Sequence, residues 1–219
     1  MITTKQKILD VAERLIGQHG FAATSLRQII GEAGVNLAAV HYHFGSKEEL
    51  LDDLISRKAS WVNTERLARL DRLEQEAESR PIPVEKVLTA FFEPVIETAD
   101  QNPQFVRLMG RLYAEGMMPA VVAKHFQPTV VRFIKALERA VPDLPAGELY
   151  WRLQFMIGAM TQVLCGKDPM AAAVGINHGP VVFATAIRQL IVFLSAGFRA
   201  PATPLPAAAA KTPAAEVGQ

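Results

Sequence analysis

Apolar positions recur at helical spacing from the first residues onward, and no stretch of the chain alternates as a strand would. Ile8, Val11, Ala12, Leu15 and Ile16 form one stripe that ends before Gly20, with Thr4 the expected cap at its start. Leu26, Ile29 and Ile30 fall at i, i+3 and i+4 on a second, shorter helix. Ala33, Gly34 and Val35 follow as a turn, in which Gly34 can take the positive φ that a β-carbon resists. Asn36 suits the N-cap of a third helix: Val40 and Phe44 point into a core, while Leu37, Ala38, His41, Tyr42 and His43 stay on or beside the outer face. Two short helices across a glycine turn, the second with an open face, form the layout of a DNA-reading helix-turn-helix.

Ser46 and Glu49 read as a capping box that opens a fourth helix. It is predicted to run toward Ser79 with Leu50, Leu54, Trp61, Leu67, Leu70 and Leu73 along its inner side. Beyond Pro81 and Pro83, prolines and loop residues punctuate five or six more helices. These cover about 84–100, begin at Asn102 and Pro103, begin near Pro119 and Pro128, and end in two long apolar segments, about 146–165 and 179–198, with a short helical turn at Asp168 and Pro169 between them. Pro94 falls inside a helical pattern, which predicts a kink near Phe91 and Phe92. From Ala200 the composition turns to proline and alanine, too poor in bulky apolar surface to fold. The predicted class is all-α: a helix-turn-helix domain over 1–46, a helical ligand-binding and dimerisation domain over 47–199, and a disordered tail over 200–219.

Several of these features occur together: Gly20 and Phe21 after an amphipathic helix, Thr24 and Ser25, the Ala33, Gly34, Val35 turn, then His41, Tyr42, His43 and Phe44, and the run from Ser46 to Leu51. This combination, over about residues 5–55, resembles the N-terminal DNA-binding domain of the TetR family of bacterial transcriptional regulators, of AcrR-like type. Asn36, Leu37, Ala38, Ala39 and Val40 are also similar to the branch that includes fatty-acid-responsive repressors. The family resemblance implies a homodimeric repressor. Ligand in the C-terminal domain would move the long fourth helix, separate the two recognition helices and release the DNA.

Charge alone does not advertise a nucleic-acid partner. The net charge is +1, and residues 1–58 balance seven basic residues (5, 7, 14, 27, 47, 57, 58) against seven acidic ones (10, 13, 32, 48, 49, 52, 53). Placement matters more, since Lys5, Lys7, Arg27 and Lys47 lie near helix N-termini that also attract phosphate. Thr24 and Ser25 are expected on phosphates through hydroxyl and backbone N–H, with Tyr42, His43 and Lys47 across the groove. Leu37, Ala38 and Ala39 suit thymine methyls, leaving Arg27 and His41 for polar base contacts. One such unit touches few base pairs, so a twofold dimer on a near-palindromic double-stranded operator is expected. Gly158, Ala159, Ala184 and Ala186 on the last two helices would permit close packing in a four-helix interface.

The last helix is nearly long enough to span a bilayer, but Arg188 and Gln189 in its middle argue for a protein interface instead. The N-terminus has no apolar signal-type run, which suits the cytoplasm. Cys165 is expected to be a buried, inert thiol. A metal site is not expected, because His41 and His43, two apart on a helix, diverge by about 200°. No cofactor motif or catalytic constellation stands out, and Glu93 and Glu97 read as a solvated face. The second half carries more rings and thioethers than helix stripes need, Phe91, Phe92, Phe105, Met109, Met117, Phe126, Trp151 and Phe155 among them. With Tyr113, Gln154, Gln162, Arg107 or Arg111 as polar anchors, these suggest a chamber for a hydrophobic effector. A fatty acid or acyl-CoA would fit the resemblance. A drug- or aromatic-responsive efflux regulator, or one without an inducer, stays open.

Overall fold

The computed structural model describes residues 3–165, 173–175 and 182–203. Every regular element among them is helical: α1 (Thr4–His19), α2 (Leu26–Ala33), α3 (Leu37–Phe44), α4 (Lys47–Ala77), α5 (Val84–Gln101), α6 (Pro103–Ala114), α7 (Met118–His125), α8 (Gln127–Ala140), α9 (Ala146–Cys165) and α10 (Phe183–Arg199). The expected turn at Asp168 and Pro169, residues 179–181 of the expected last helix and residues 204–219 of the tail lie outside the described residues. None of these helices is long and apolar enough to cross a membrane.

The boundaries follow local chemistry. Ser25, Asn36 and Ser46 each accept a backbone N–H three residues on, and Gln28 and Glu49 complete capping boxes at α2 and α4. The cap of α1 is Thr3 rather than Thr4, because only an oxygen placed one residue before the first helical turn reaches the Gln6 N–H. Gly34 ends α2 in the left-handed region at φ 65°, as the turn requires. Asn102 caps α6, and Pro103, Pro119 and Pro128 sit in first turns where a missing N–H costs nothing.

Packing produces two apolar clusters. The first joins Ile8, Ile16, Ile29, Val40 and Leu50 of the N-terminal helices to Phe105, Leu108 and Leu112 of α6, so the core does not divide at residue 46. The second holds the far half of α4 with α5, α8, α9 and α10, around Leu70, Phe92, Phe133 and Ile187. Along α4 the buried stripe runs Ala59, Val62, Arg66, Leu70. It does not pass through Trp61, which is exposed, because residues one apart on a helix point about 100° apart. Ion pairs fasten α4 on both sides: Arg69 to Glu93 and Glu97 of α5, and Arg132 of α8 to Asp71 and Glu74. Glu93 and Glu97 are therefore ion-pair partners of α4 rather than a merely solvated face.

Two close approaches shape the C-terminal half. Gly110 lies so near α9 that an added β-carbon would stand 2.5 Å from the Leu164 carbonyl oxygen, and the Cys165 thiol donates to the Gly110 carbonyl at 3.4 Å. Arg152 of α9 donates to the carbonyls of Gly197, Phe198, Ala200 and Pro201 while pairing with the buried Glu148. That arginine satisfies the open end of α10 and fixes where the chain leaves the bundle.

Candidate DNA-reading face and effector cavity

The outer face of α3 is open. Leu37 is 52% and Tyr42 85% exposed, Ala38 and His41 are exposed, and Ala39 and His43 are half-buried. Val40 and Phe44, buried beneath, hold the helix against the core. The His41 ring is oriented by its Nδ1, 2.9 Å from the Gly45 carbonyl oxygen. A carbonyl only accepts, so Nδ1 carries a proton and Nε2 of the neutral ring is left as an outward acceptor. The Tyr42 and His43 rings meet edge to face, 5.1 Å between centroids. Arg27 is exposed on the first turn of α2 and makes no hydrogen bond or ion pair among the described residues.

Three sequence-assigned phosphate contacts have other partners here. Thr24 is buried and its hydroxyl donates to the Gly20 carbonyl at 2.7 Å, while its backbone N–H donates to Phe21. Its role is to close the loop before α2. Ser25 uses its backbone N–H and its hydroxyl on Gln28, which follows from its being the cap. The Lys47 ammonium donates to the carbonyls of Phe21 and Thr24 at 2.7 and 2.8 Å and lies over the Phe21 ring, leaving one N–H outward. The groups at the α2 N-terminus without an internal acceptor are the Leu26 and Arg27 N–H, by helix geometry. Asn36 accepts the Ala39 N–H on its side-chain oxygen, which leaves its two amide N–H groups as donors for a base or phosphate.

A cavity of about 520 Å³ lies between α4, α5, α6, α7, α8 and α9. Its walls are apolar, with Phe91, Phe105, Met109, Phe126, Met156 and Met160 among them. Polar atoms enter at Arg66, Tyr113, Thr98 and Gln154. Arg66 is 5% exposed; its Nε donates to the Phe91 carbonyl at 2.8 Å, and its guanidinium stacks 3.8 Å from the Phe91 ring. The accepting carbonyl lies three residues before Pro94, where a proline loosens the helix ladder. Burial raises the Tyr113 phenol above its ordinary pKa, the charge on Arg66 opposing, so the phenol keeps its proton at neutral pH. A separate polar recess of about 440 Å³ between α1, α4 and α5 includes Glu13, Arg57 and Lys58.

The family model described as bacterial regulatory proteins, tetR family, matches residues 8–54, and that described as tetracyclin repressor-like, C-terminal domain, matches residues 89–197. The chain belongs to the TetR family. This TetR-family regulator is 45% identical over 51 residues to the HTH-type transcriptional regulator AcrR of Shigella flexneri, a match that covers 23% of this chain and 24% of that one. It is 42% identical over 55 residues to the probable HTH-type transcriptional regulator YttP of Bacillus subtilis, covering 25% and 27%. The matched stretch thus spans about a quarter of each of these relatives. The solved structure of the ketosteroid transcriptional regulator KstR2 of Mycobacterium tuberculosis is similar over 90% of this chain and 95% of that one, with a TM-score of 0.63 at 17% identity.

In this TetR-family chain the cavity gathers Phe91, Phe105, Met109, Tyr113, Phe126 and Gln154 from the residues expected there. The other expected positions fall elsewhere. Phe92 is fully buried in the second cluster, on the side of α5 turned from the space. Trp151 and Phe155 are exposed, stacked at 6.2 Å on the outer face of α9. Met117 and Gln162 do not line the cavity, where Met118 and Leu164 do. Arg111 does not reach it either: it donates to the Gln18 and Gly17 carbonyls at the end of α1. Nothing in the sequence marks Arg66, because an arginine within a charged helix reads as surface until α5, α6 and α8 close over it.

Proposed function

We propose that the protein is a homodimeric transcriptional repressor that binds a near-palindromic operator through α3 and is released by a hydrophobic small molecule held in the 520 Å³ cavity. The observation that carries the DNA reading is the open face of α3, where Leu37, Ala38, His41 and Tyr42 project while Val40 and Phe44 lock the helix from behind. Leu37 and Ala38 suit thymine methyls, and the His41 Nε2 suits a base amino group. Tyr42, His43 and the remaining Lys47 N–H suit backbone contacts, and the exposed Arg27 suits a polar base contact. Two copies would meet through α9 and α10, where Trp151, Phe155, Val192 and Phe193 are each more than half exposed. Such a dimer sets two recognition helices roughly 34–36 Å apart.

The route from cavity to DNA supports the same reading. Met109 and Tyr113 line the cavity from α6, and on that same helix and its cap Arg111 grips the end of α1 and Glu115 accepts the Ala22 N–H at 3.1 Å. A ligand that displaces α6 therefore pulls on the helix-turn-helix directly, besides acting through α4. The effector need only favour the released arrangement, and by linkage DNA weakens its binding by the same factor. A fatty acid or its coenzyme A thioester is the effector class that the sequence resemblance implies.

The test is selection of a binding sequence from random duplex DNA, followed by competition with His41→Ala and Tyr42→Ala. His41→Ala is expected to relax discrimination at one base pair in each half-site, and Tyr42→Ala to weaken all sequences alike. Recovery of no preferred sequence, or of a site that both variants bind like the parent, would remove α3 from the groove.

A further inference from the structure

We propose that the cavity takes a free organic acid, its carboxylate seated on the Arg66 guanidinium and its apolar body among the phenylalanines and methionines; this rests on the effector reading above. Arg66 is 5% exposed and lines the cavity, yet among the described residues no Asp or Glu pairs with it. Among the described residues its one side-chain hydrogen bond is from Nε to the Phe91 carbonyl, and neither terminal nitrogen has an acceptor there. The contrast lies one turn away on the same helix, where Arg69 has Glu65, Glu93 and Glu97 within 4 Å. A cation buried without a counter-charge is costly, and stacking on the Phe91 and Phe126 rings offsets only part of that cost. Burial pulls the guanidinium down to about 9, so it is still cationic at neutral pH.

The geometry of the two free nitrogens selects the ligand. A guanidinium fork matches a carboxylate with two parallel hydrogen bonds, and the Tyr113 phenol, kept protonated, supplies another donor in the same cavity. An alcohol would leave the charge uncompensated. An amine would add a second cation beside Arg66 in an apolar space. A coenzyme A thioester has no charge at its acyl carbonyl, so it leaves Arg66 unpaired and must also find room for the nucleotide. Methionines at 109, 118, 156 and 160 adapt to the body of the acid, and so the head is read more strictly than the tail.

Calorimetric titration of the full chain with matched series decides the matter: dodecanoate, dodecanol, dodecylamine and dodecanoyl-coenzyme A, and in parallel 2-naphthoate, 2-naphthol and 2-naphthylmethylamine. In at least one series the acid is expected to bind tenfold or more tighter than its neutral and cationic counterparts. Arg66→Met should bring acid and alcohol to within twofold of each other, and Arg66→Lys should keep part of the preference. Equal binding of acid and alcohol by the parent, or an acid preference that survives Arg66→Met, would overturn the charge reading while leaving a hydrophobic effector in place. Silence of both series would overturn the effector reading with it. Should Arg66→Met fail to fold, the comparison on the parent decides alone.

Discussion

Glu13 is the residue whose ionisation the fold opposes most visibly outside the cavity. Burial raises its carboxyl above the ordinary value, outweighing the hydrogen bond from Asn102 and the attraction of Lys58. A carboxyl raised in the folded state contributes its stability in full below its unfolded pKa and loses it as pH rises through the folded pKa. Gln at this position keeps an acceptor for the Asn102 amide without the charge. Glu13→Gln should therefore raise the melting temperature at pH 8, with the difference shrinking toward pH 4, as thermal unfolding across that range would register. A variant that melts lower than the parent at pH 8 would mean the charge is held favourably by Lys58 and Arg57. Asp52 has the opposite sign. Burial pushes its carboxyl up, but hydrogen bonds from Lys124 and His125 outweigh this and hold it below its ordinary value, so what it adds is present above the ordinary value and is lost as pH falls from there through the lowered folded pKa.

Among the elements, α6 has a special place because one helix carries both cavity wall and grip on the DNA-reading domain. Arg111 and Glu115 hydrogen-bond the end of α1 and the loop before α2, whereas Met109 and Tyr113 line the cavity. Truncating the grip should separate the two functions. The Arg111→Ala, Glu115→Ala double variant is expected to bind effector like the parent yet to require several-fold more of it to release operator DNA. Fluorescence anisotropy of labelled operator, read beside calorimetric binding, measures both quantities. An unchanged release curve would place the coupling wholly in α4, the helix that the family resemblance implies. The ion pairs of α4 with α5 and α8 argue that α4 moves with its neighbours rather than sliding past them.

For the whole molecule the open question is what covers the outer faces of α9 and α10. Tyr150, Trp151, Phe155, Val192 and Phe193 together expose more ring and branched carbon than a monomer usually leaves in water. Ile187, by contrast, is fully buried within the chain's own second cluster, so it reports on folding and not on assembly. Phe193→Asp should yield a folded monomer with operator affinity reduced by orders of magnitude, since one half-site contact is lost and a charge would have to be buried to regain it. Light scattering on parent and variant gives the result. A parent that is monomeric at micromolar concentration would remove the dimer from the proposal.

What the sequence determined by itself was local and periodic. The capping box at Ser46, the Asn36 cap and the Gly34 turn each act within four residues, so their chemistry could be read before any folding, whereas Ser25 reads as a phosphate contact until the structure shows it capping α2 with Gln28. The buried pair Val40 and Phe44 follows from helical spacing alone, and with it the open face of α3. Tertiary structure decided everything that depends on which faces of different helices meet. Thr24 and Lys47 look like phosphate ligands until the loop after α1 folds back on them, and its carbonyls take their donors. Phe91 and Phe92 are indistinguishable in sequence, yet one lines the cavity and the other fills the core, because neighbours on a helix point about 100° apart. His125, at the end of α7, becomes a buried partner of Asp52 only because α7 lands on α4. Arg66 gives no sign in the chain itself. Its burial without a carboxylate arises when α5, α6 and α8 close over one turn of α4, a matter of distant contacts that no local pattern encodes.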